Sequence, residues 1–245
     1  SPLNDSLAQF QRQLERFAER RKGTRGEELD AIQEELYDYT YRTVVNNADN
    51  FLAVRILSRY PTGFRSARQM LDAIDRLSEP MQRHYMIRRY LRPQIEQYLR
   101  TDVGQPYRDI AAPTPAGDTL SLRQAVEDPA NKCVLVDFWA SWCGPCMAEI
   151  PFLKADYEKY GKKGFEIYAV SFDSQRDRWI DAVRQQGMKW IQVSDLSGFQ
   201  TPAAEAYAVQ SIPSNFLIRC SDGQIVATQL RGEALGEKLG ELLGD

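Results

Sequence analysis

The sequence predicts an α/β protein: an all-α segment over residues 1–103, followed by a domain over 104–245 with a mixed sheet flanked by helices. Three observations carry this. Leu3, Leu7, Phe10, Leu14, Phe17 and Ala18 recur three and four residues apart, the spacing of one apolar helix face, and this grammar persists through the first hundred residues. After that, short apolar runs alternate with helical stretches, which implies crossover connections and parallel pairing. Two strand-like runs around Ser221-Asp222-Gly223 then read as a hairpin, whose antiparallel pairing makes the sheet mixed.

The elements follow in order. Gly23-Thr24-Arg25-Gly26 ends the first helix. Leu29, Ile32, Leu36, Tyr39 and Tyr41 carry a second, which divides near Asn46-Asn47. Phe51, Val54, Ile56 and Leu57 continue until Pro61-Thr62-Gly63 stops the run. Helices over 64–77 and 79–100 complete the segment. Pro80 suits a first helical turn, and Pro93 is expected to kink the last helix. The Pro- and Gly-rich stretches 103–106 and 112–118 read as a linker. Strands are expected over 134–140, 165–172, 190–193, 215–219 and 224–230, with helices over 143–160, 176–186, 201–208 and 234–243.

Composition narrows the function classes. Of 245 residues, 43% are hydrophobic and 27% charged, an ordinary globular balance. The net charge of −3 lacks the basic surplus of a general nucleic-acid binder. The first 104 residues hold sixteen arginines, a single lysine (Lys22) and fifteen acids, a mild asymmetry that implies no polyanionic partner. No apolar run approaches the roughly 20 residues of a membrane span. The chain opens on Ser1-Pro2, and we expect a targeting segment to have preceded it. Four cysteines are too few for a disulfide scaffold and enough for a redox site.

That site is the run from Val134 through Trp139, Ala140, Ser141, Trp142, Cys143, Gly144 and Pro145 to Cys146. A buried strand enters a helix whose first turn carries two cysteines three residues apart, close enough to bond. The free N–H groups and positive dipole end of the helix favour a thiolate on Cys143, lowering its pKa below the free value of about 8.5 and making it the attacking nucleophile. Cys146, one turn in, is expected to be more buried and to resolve the mixed disulfide. Zinc would need four ligands, and the single histidine, His84, lies far off in the helical segment, while Cys133 and Cys220 form no second pair of this spacing. A buried structural pair is the remaining alternative, and the strand-to-helix setting opposes it. Asp137 sits in an apolar strand, where desolvation raises its pKa and suits it to accept a proton from a neighbouring thiol; a buried acid satisfied by hydrogen bonds is the alternative. Trp139 reads as core and Trp142 as a rim residue touching substrate. Glu149 stands open between a solvated carboxylate and a tuner of the thiols.

These residues resemble the active-site segment of thioredoxins. Asp137, six before Cys143, matches the acid that handles the proton of the resolving cysteine. Pro151, five after Cys146, matches the proline of the active-site helix. Ile212-Pro213 matches the cis-proline loop that faces the cysteines and binds the substrate backbone, alongside Trp142, Gly144 and Pro145. The longer pattern of Cys146 to Pro151, Val170 to Asp173, Trp179, Val193 to Leu196 and Ser211 to Ile218 is similar to TlpA-like disulfide reductases of bacterial envelopes, the branch with an extra helix and strand before the cis-proline. The likeness covers about 105–245 and implies a thioredoxin-like fold; the helical segment, with Asn46, Asn47 and Asn50, is similar to the one preceding the catalytic domain in Bacteroides-type members. It also implies a periplasmic or envelope-anchored location. In that topology strand 134–140 pairs antiparallel with 215–219. Setting Phe138 opposite Asn215 then puts Cys133 opposite Cys220, within disulfide reach. Two free thiols are the alternative.

The function this implies is a thiol-disulfide oxidoreductase, working as a reductase on disulfide-containing client proteins. Cys143 attacks, Cys146 resolves and Asp137 manages the proton. The redox-active disulfide is its own cofactor. Electrons come from an upstream thiol donor, since no nucleotide or flavin fingerprint is present. Gly-Pro between the cysteines and Ile before the proline resemble the reducing end of the family. A peroxidase is the second possibility. Related peroxiredoxins place Thr or Ser three residues before the reactive cysteine and Pro seven before it, whereas here Ala140 and Val136 occupy those positions. A client-docking or assembly module is the third, kept open by the helical segment, which could position an upstream part, dimerise or hold a client.

Overall fold

A computed structural model describes residues 2–244, which divide into two compact units between Leu99 and Arg100. The first unit is helical throughout: α1 (Pro2–Arg21), α2 (Glu27–Val45), α3 (Phe51–Arg59), α4 (Ala67–Asp75), α5 (Glu79–Gln82) and α6 (Arg92–Leu99). Asn50 caps α3 by accepting the Leu52 N–H at 3.0 Å, which is why the second run divides there. Phe10, Val44, Leu52, Ile56, Leu57, Ile74 and Ile87 form its core.

The expected single helix over 79–100 is instead broken into three pieces. After α5 the chain turns at Arg83 and His84, then winds as a π-helix over Met86–Leu91 before α6. Pro93 has no N–H to donate and its ring crowds the carbonyl four residues back. The wider turn, in which the Arg92 N–H bonds Ile87 O, passes that obstacle. The helix expected over 64–77 begins only at Ala67, where the Ser66 side chain accepts the Gln69 N–H at 3.2 Å.

The second unit runs β1 (Ala111–Pro113), β2 (Thr119–Ser121), α7 (Leu122–Val126), β3 (Cys133–Trp139), α8 (Gly144–Tyr160), β4 (Phe165–Ser171), α9 (Arg176–Gln186), β5 (Ile191–Val193), α10 (Pro202–Ala206), β6 (Ser214–Arg219), β7 (Gln224–Thr228) and α11 (Glu233–Leu243). Its main sheet has the order β5-β4-β3-β6-β7, parallel from β5 to β3 and antiparallel from β3 to β7. Every residue of β3 is buried, as befits a central strand covered on both faces. No helix among the described residues is long and apolar enough to cross a membrane.

The stretch read as a linker is structured. Residues 111–121 form the β1–β2 hairpin, closed by the Thr114 N–H on Asp118 O at 2.7 Å. Ser121 and Gln124 then make a capping box that starts α7. Residues 104–107 lie along β7, where Gly104 N–H bonds Ile225 O at 2.8 Å and Tyr107 N–H bonds Gly223 O at 2.9 Å, covering an otherwise open edge.

The β3–β6 register differs by one residue from the expected one. Phe138 faces Ser214, and Cys133 faces Arg219; the Cys220 N–H goes to Lys132 O at 2.9 Å. A one-residue slip moves a side chain to the other face of the pleat, so the sulfurs do not meet across the ladder, and Cys133 and Cys220 are free thiols. The expected Cys133–Cys220 disulfide is absent.

The start of β3 hangs on Gly164, whose carbonyl accepts the N–H groups of Lys132 and Cys133 at 2.7 and 3.1 Å. Gly164 has φ +105°, and a Cβ there would stand 2.9 Å from Lys132 Cγ and 3.1 Å from Ala130 O. Gly164→Ala is therefore expected to lower unfolding free energy by about 2 kcal/mol or more in urea titration.

Candidate functional site

The site stands where β3 ends and α8 begins. Cys143 caps α8 rather than opening it: its Sγ accepts the Cys146 N–H at 3.2 Å, and its carbonyl takes the first helical bond, from Met147 N–H at 3.0 Å. The two cysteines are disulfide-bonded with Cα atoms 5.2 Å apart. They are almost equally covered, 5% and 3% exposed, so the expected difference in burial is slight in the disulfide form. Gly144 and Pro145 lie exposed in the first turn, and Pro151 sits inside α8. Trp139 is buried, its Nε1–H on Gln192 Oε1 at 3.2 Å, while Trp142 stands out at the surface.

Asp173, just beyond β4, fixes the loop that leads to Cys143. One carboxylate oxygen accepts the Ser141 N–H at 2.9 Å and the Ser171 hydroxyl at 2.7 Å; the other accepts the Ser141 hydroxyl at 2.5 Å. Asp173 is buried, and these donors satisfy it. In the sequence Asp173 stands out only as part of a longer pattern. Its partnership with Ser141 spans 32 positions and becomes visible only once β3 and β4 pair.

The second component lies on β3 and β6. Asp137 is buried, and desolvation pushes its carboxyl up to about 7. Arg231 opposes that rise and Glu149 reinforces it. Asp137 pairs across the ladder with Asn215, whose side chain holds the segment after β7 by bonding Leu230 O and N–H at 2.8 and 2.9 Å. Arg231 donates to the carbonyls of Leu230 and Pro213, and the Ile212–Pro213 peptide is cis. The Gly232 N–H donates to Glu149 Oε2 at 2.8 Å. The β3–β6 register thus carries Ile212 and Pro213 to the end of β3 from which Cys143 departs, and Arg231 holds the proline carbonyl. Glu149 is half-buried rather than fully solvated, ties α8 to the loop before α11, and contributes to the field at Asp137. Arg231 is not legible as a site residue in the sequence because nothing near it in the chain points to Pro213.

Cys133 and Cys220 lie at the far end of β3, lining a cavity of about 520 Å³ with Lys132, Arg219, Leu242 and Leu243. Burial pushes Cys133 up to about 12 and Cys220 up to about 11, so both stay protonated at neutral pH. They belong to a separate place from Cys143 and Cys146. His84 lies in the first unit against the Phe51 ring, its Nδ1 accepting the Met86 N–H at 3.2 Å. Among the described residues, no three His, Cys, Asp or Glu side chains gather as metal ligands.

Comparison with known proteins falls on the same part of the chain. A family model described as AhpC/TSA family matches residues 103–227. A thiol-disulfide oxidoreductase ResA from Bacillus thuringiensis subsp. konkukian is 33% identical over 118 residues, covering 48% of this chain and 65% of that protein. The chain thus matches just under two thirds of the length of this curated relative. The thioredoxin domain of a thiol-disulfide oxidoreductase from Bacteroides vulgatus matches with TM-score 0.53 and 30% identity, covering 58% of this chain and 98% of that domain. A thiol-disulfide oxidoreductase from Bacteroides fragilis matches with TM-score 0.51 and 33% identity, over 57% of this chain and all of that one. The second unit has a thioredoxin-like fold.

The environment of Asp137 has a consequence for stability. A carboxyl with a raised pKa binds its proton more tightly folded than unfolded. The stability it contributes is complete below about pH 4 and lost as pH rises through about 7. Asp137→Asn removes this loss. Denaturation at pH 4 and pH 8 is expected to show the variant gaining on the parent with rising pH, by about 4 kcal/mol at most.

Proposed function

The chain belongs to the AhpC/TSA family, and on that footing we propose that it is a thiol-disulfide oxidoreductase that reduces disulfides of client proteins in the cell envelope. The observation that carries this is the Cys143–Cys146 disulfide at the mouth of α8, with the Cys146 N–H directed at the Cys143 sulfur. A donor in that position stabilises negative charge on Cys143 once the disulfide is reduced. The names of the relatives from Bacillus and Bacteroides support the same activity.

The reaction follows from the parts. The Cys143 thiolate attacks one sulfur of a client disulfide, and the other client sulfur leaves and takes up a proton. Cys146 then gives its proton to the Asp137 carboxylate and attacks Cys143 Sγ, expelling the second client thiolate. That thiolate takes up the proton held by Asp137, so the client gains two electrons and two protons, one of the protons from solvent, and the Cys143–Cys146 disulfide remains. A separate thiol donor reduces it again. In this reading the client chain lies against the backbone of Ile212 and of Pro213, whose carbonyl Arg231 holds, and touches Trp142, Gly144 and Pro145, all exposed. Peroxide chemistry is less favoured. Ala140 offers no hydroxyl three residues before Cys143, and the nearby Ser141 hydroxyl is engaged by Asp173.

Three outcomes test this. Cys143→Ser is expected to abolish reduction of a disulfide-bonded model protein, and Cys146→Ser to accumulate a mixed disulfide with it, resolved on non-reducing gels. Equilibration of Cys143–Cys146 against glutathione or dithiothreitol is expected to place its potential near about −270 mV, whereas a value near about −120 mV would mark a disulfide donor and overturn the reductase assignment. The single-turnover rate of the resolving step is expected to rise with pH through about 7, as Asp137 loses its proton, and Asp137→Asn to remove that inflection.

A further inference from the structure

Two aromatic rings stand at the surface beside the disulfide. Trp142 is 56% and Phe199 45% exposed, and their ring centres lie 6.4 Å apart at 47°. Trp142 immediately precedes Cys143. Phe199 arrives from the turn Gly198–Gln200 between β5 and α10, far away in sequence. Large aromatic side chains left this open in pairs commonly mark contact surfaces.

Phe199 is held in place. One edge of its ring packs on buried Phe172, with centres 4.8 Å apart and planes at 70°. The Phe172 N–H in turn bonds Trp139 O at 2.8 Å, tying this support to the strand that delivers Cys143. The approach to Phe199 is a built turn: Leu196 and Gly198 have φ of 59° and 60°, a costly conformation for leucine. Ser194 Oγ accepts the Leu196 N–H at 3.1 Å, and Asp195 Oδ1 accepts the Ser197 N–H at 3.0 Å.

Charge is sparse around the rings. Residues 138–148, 196–204 and 206–218 contain no Asp, Glu, Lys, Arg or His, in a chain that is 27% charged. Of the charged groups nearby, Asp195 is engaged by the Ser197 N–H, Asp173 by Ser141 and Ser171, and Arg231 by Pro213. A client reaching Cys143 therefore meets aromatic surface and backbone rather than a field that selects by charge.

We propose that Trp142 and Phe199 form a docking surface for an aromatic or large aliphatic side chain flanking the reacting cysteine of a client polypeptide. The pair sets which disulfides the Cys143–Cys146 centre prefers. This rests on the reductase function proposed above. The occupant follows from connectivity: a client sulfur bonded to Cys143 holds the client's neighbouring residues one or two Cα steps of about 3.8 Å away, beside Trp142, which precedes Cys143 and meets Phe199. An apolar side chain there removes its own surface and that of the rings from water.

The test uses the full chain, reduced beforehand, and two disulfide-bonded peptides that differ only in the residue next to the cysteine, Phe in one and Ser in the other. The parent is expected to favour the Phe peptide about tenfold in kcat/KM. In Phe199→Ala the ratio falls to near one. In Phe199→Leu, which keeps an apolar group over Phe172, it stays above about threefold. Each ratio is internal to one enzyme preparation, and turnover of the Ser peptide reports that the variant is folded and active. A parent ratio near one, or a tenfold ratio that survives in Phe199→Ala, overturns the docking surface and leaves the reductase function standing. A parent that reduces neither peptide overturns both.

Discussion

The two-sided pairing of β3 is the constraint on which the site depends. Its parallel partner β4 ends at Ser171, beyond which Asp173 takes hold of Ser141. Its antiparallel partner β6 begins beside Pro213 and aligns Asn215 with Asp137. One strand thus delivers the disulfide at its end and the buried acid at its middle, and it determines where the cis-proline segment arrives. A strand so placed must be apolar on both faces, which makes Asp137 costly to ionise. The burial that stabilises the sheet also shifts this carboxyl toward neutrality.

The field around Asp137 is set by groups that arrive from elsewhere in the chain. Arg231 lies beyond β7 and Glu149 on α8, and their charges act on Asp137 in opposite directions. Both also do structural work, Arg231 on the Pro213 carbonyl and Glu149 on the Gly232 N–H. Substrate-facing backbone and proton acceptor therefore share supports, and a change at either residue alters geometry and electrostatics together.

The two thiol pairs show how environment divides chemically identical groups. Cys143 receives a backbone N–H at the mouth of a helix. Burial pushes the pKa of Cys133 and Cys220 up, the Lys132 charge offsets it only in part at Cys133, and each stays a protonated thiol. Reactivity is concentrated at one end of β3 because only there does a helix begin beside a sulfur.

Local sequence was sufficient for much of this. The spacing of Cys143 and Cys146, the apolar run before them and the turn residues around Gly23, Asn50 and Gly223 place helices, strands and the redox motif, because each depends on neighbours within a few positions. Asp137 was legible as a buried acid for the same reason. What failed was nonlocal, or it depended on competition between local options. The β3–β6 register, and with it the fate of Cys133 and Cys220, turns on a one-residue choice that apolar strands of similar composition leave open. The β1–β2 hairpin was hidden because Pro and Gly mark turns without saying whether the flanks pair. Pro93 announced a disruption but not that a π-helix would absorb it. Arg231 on Pro213, Asp173 on Ser141 and Phe199 beside Trp142 join residues 18, 32 and 57 positions apart. Only the completed sheet brings such groups together, since chain separation carries no information about approach until the strands have paired.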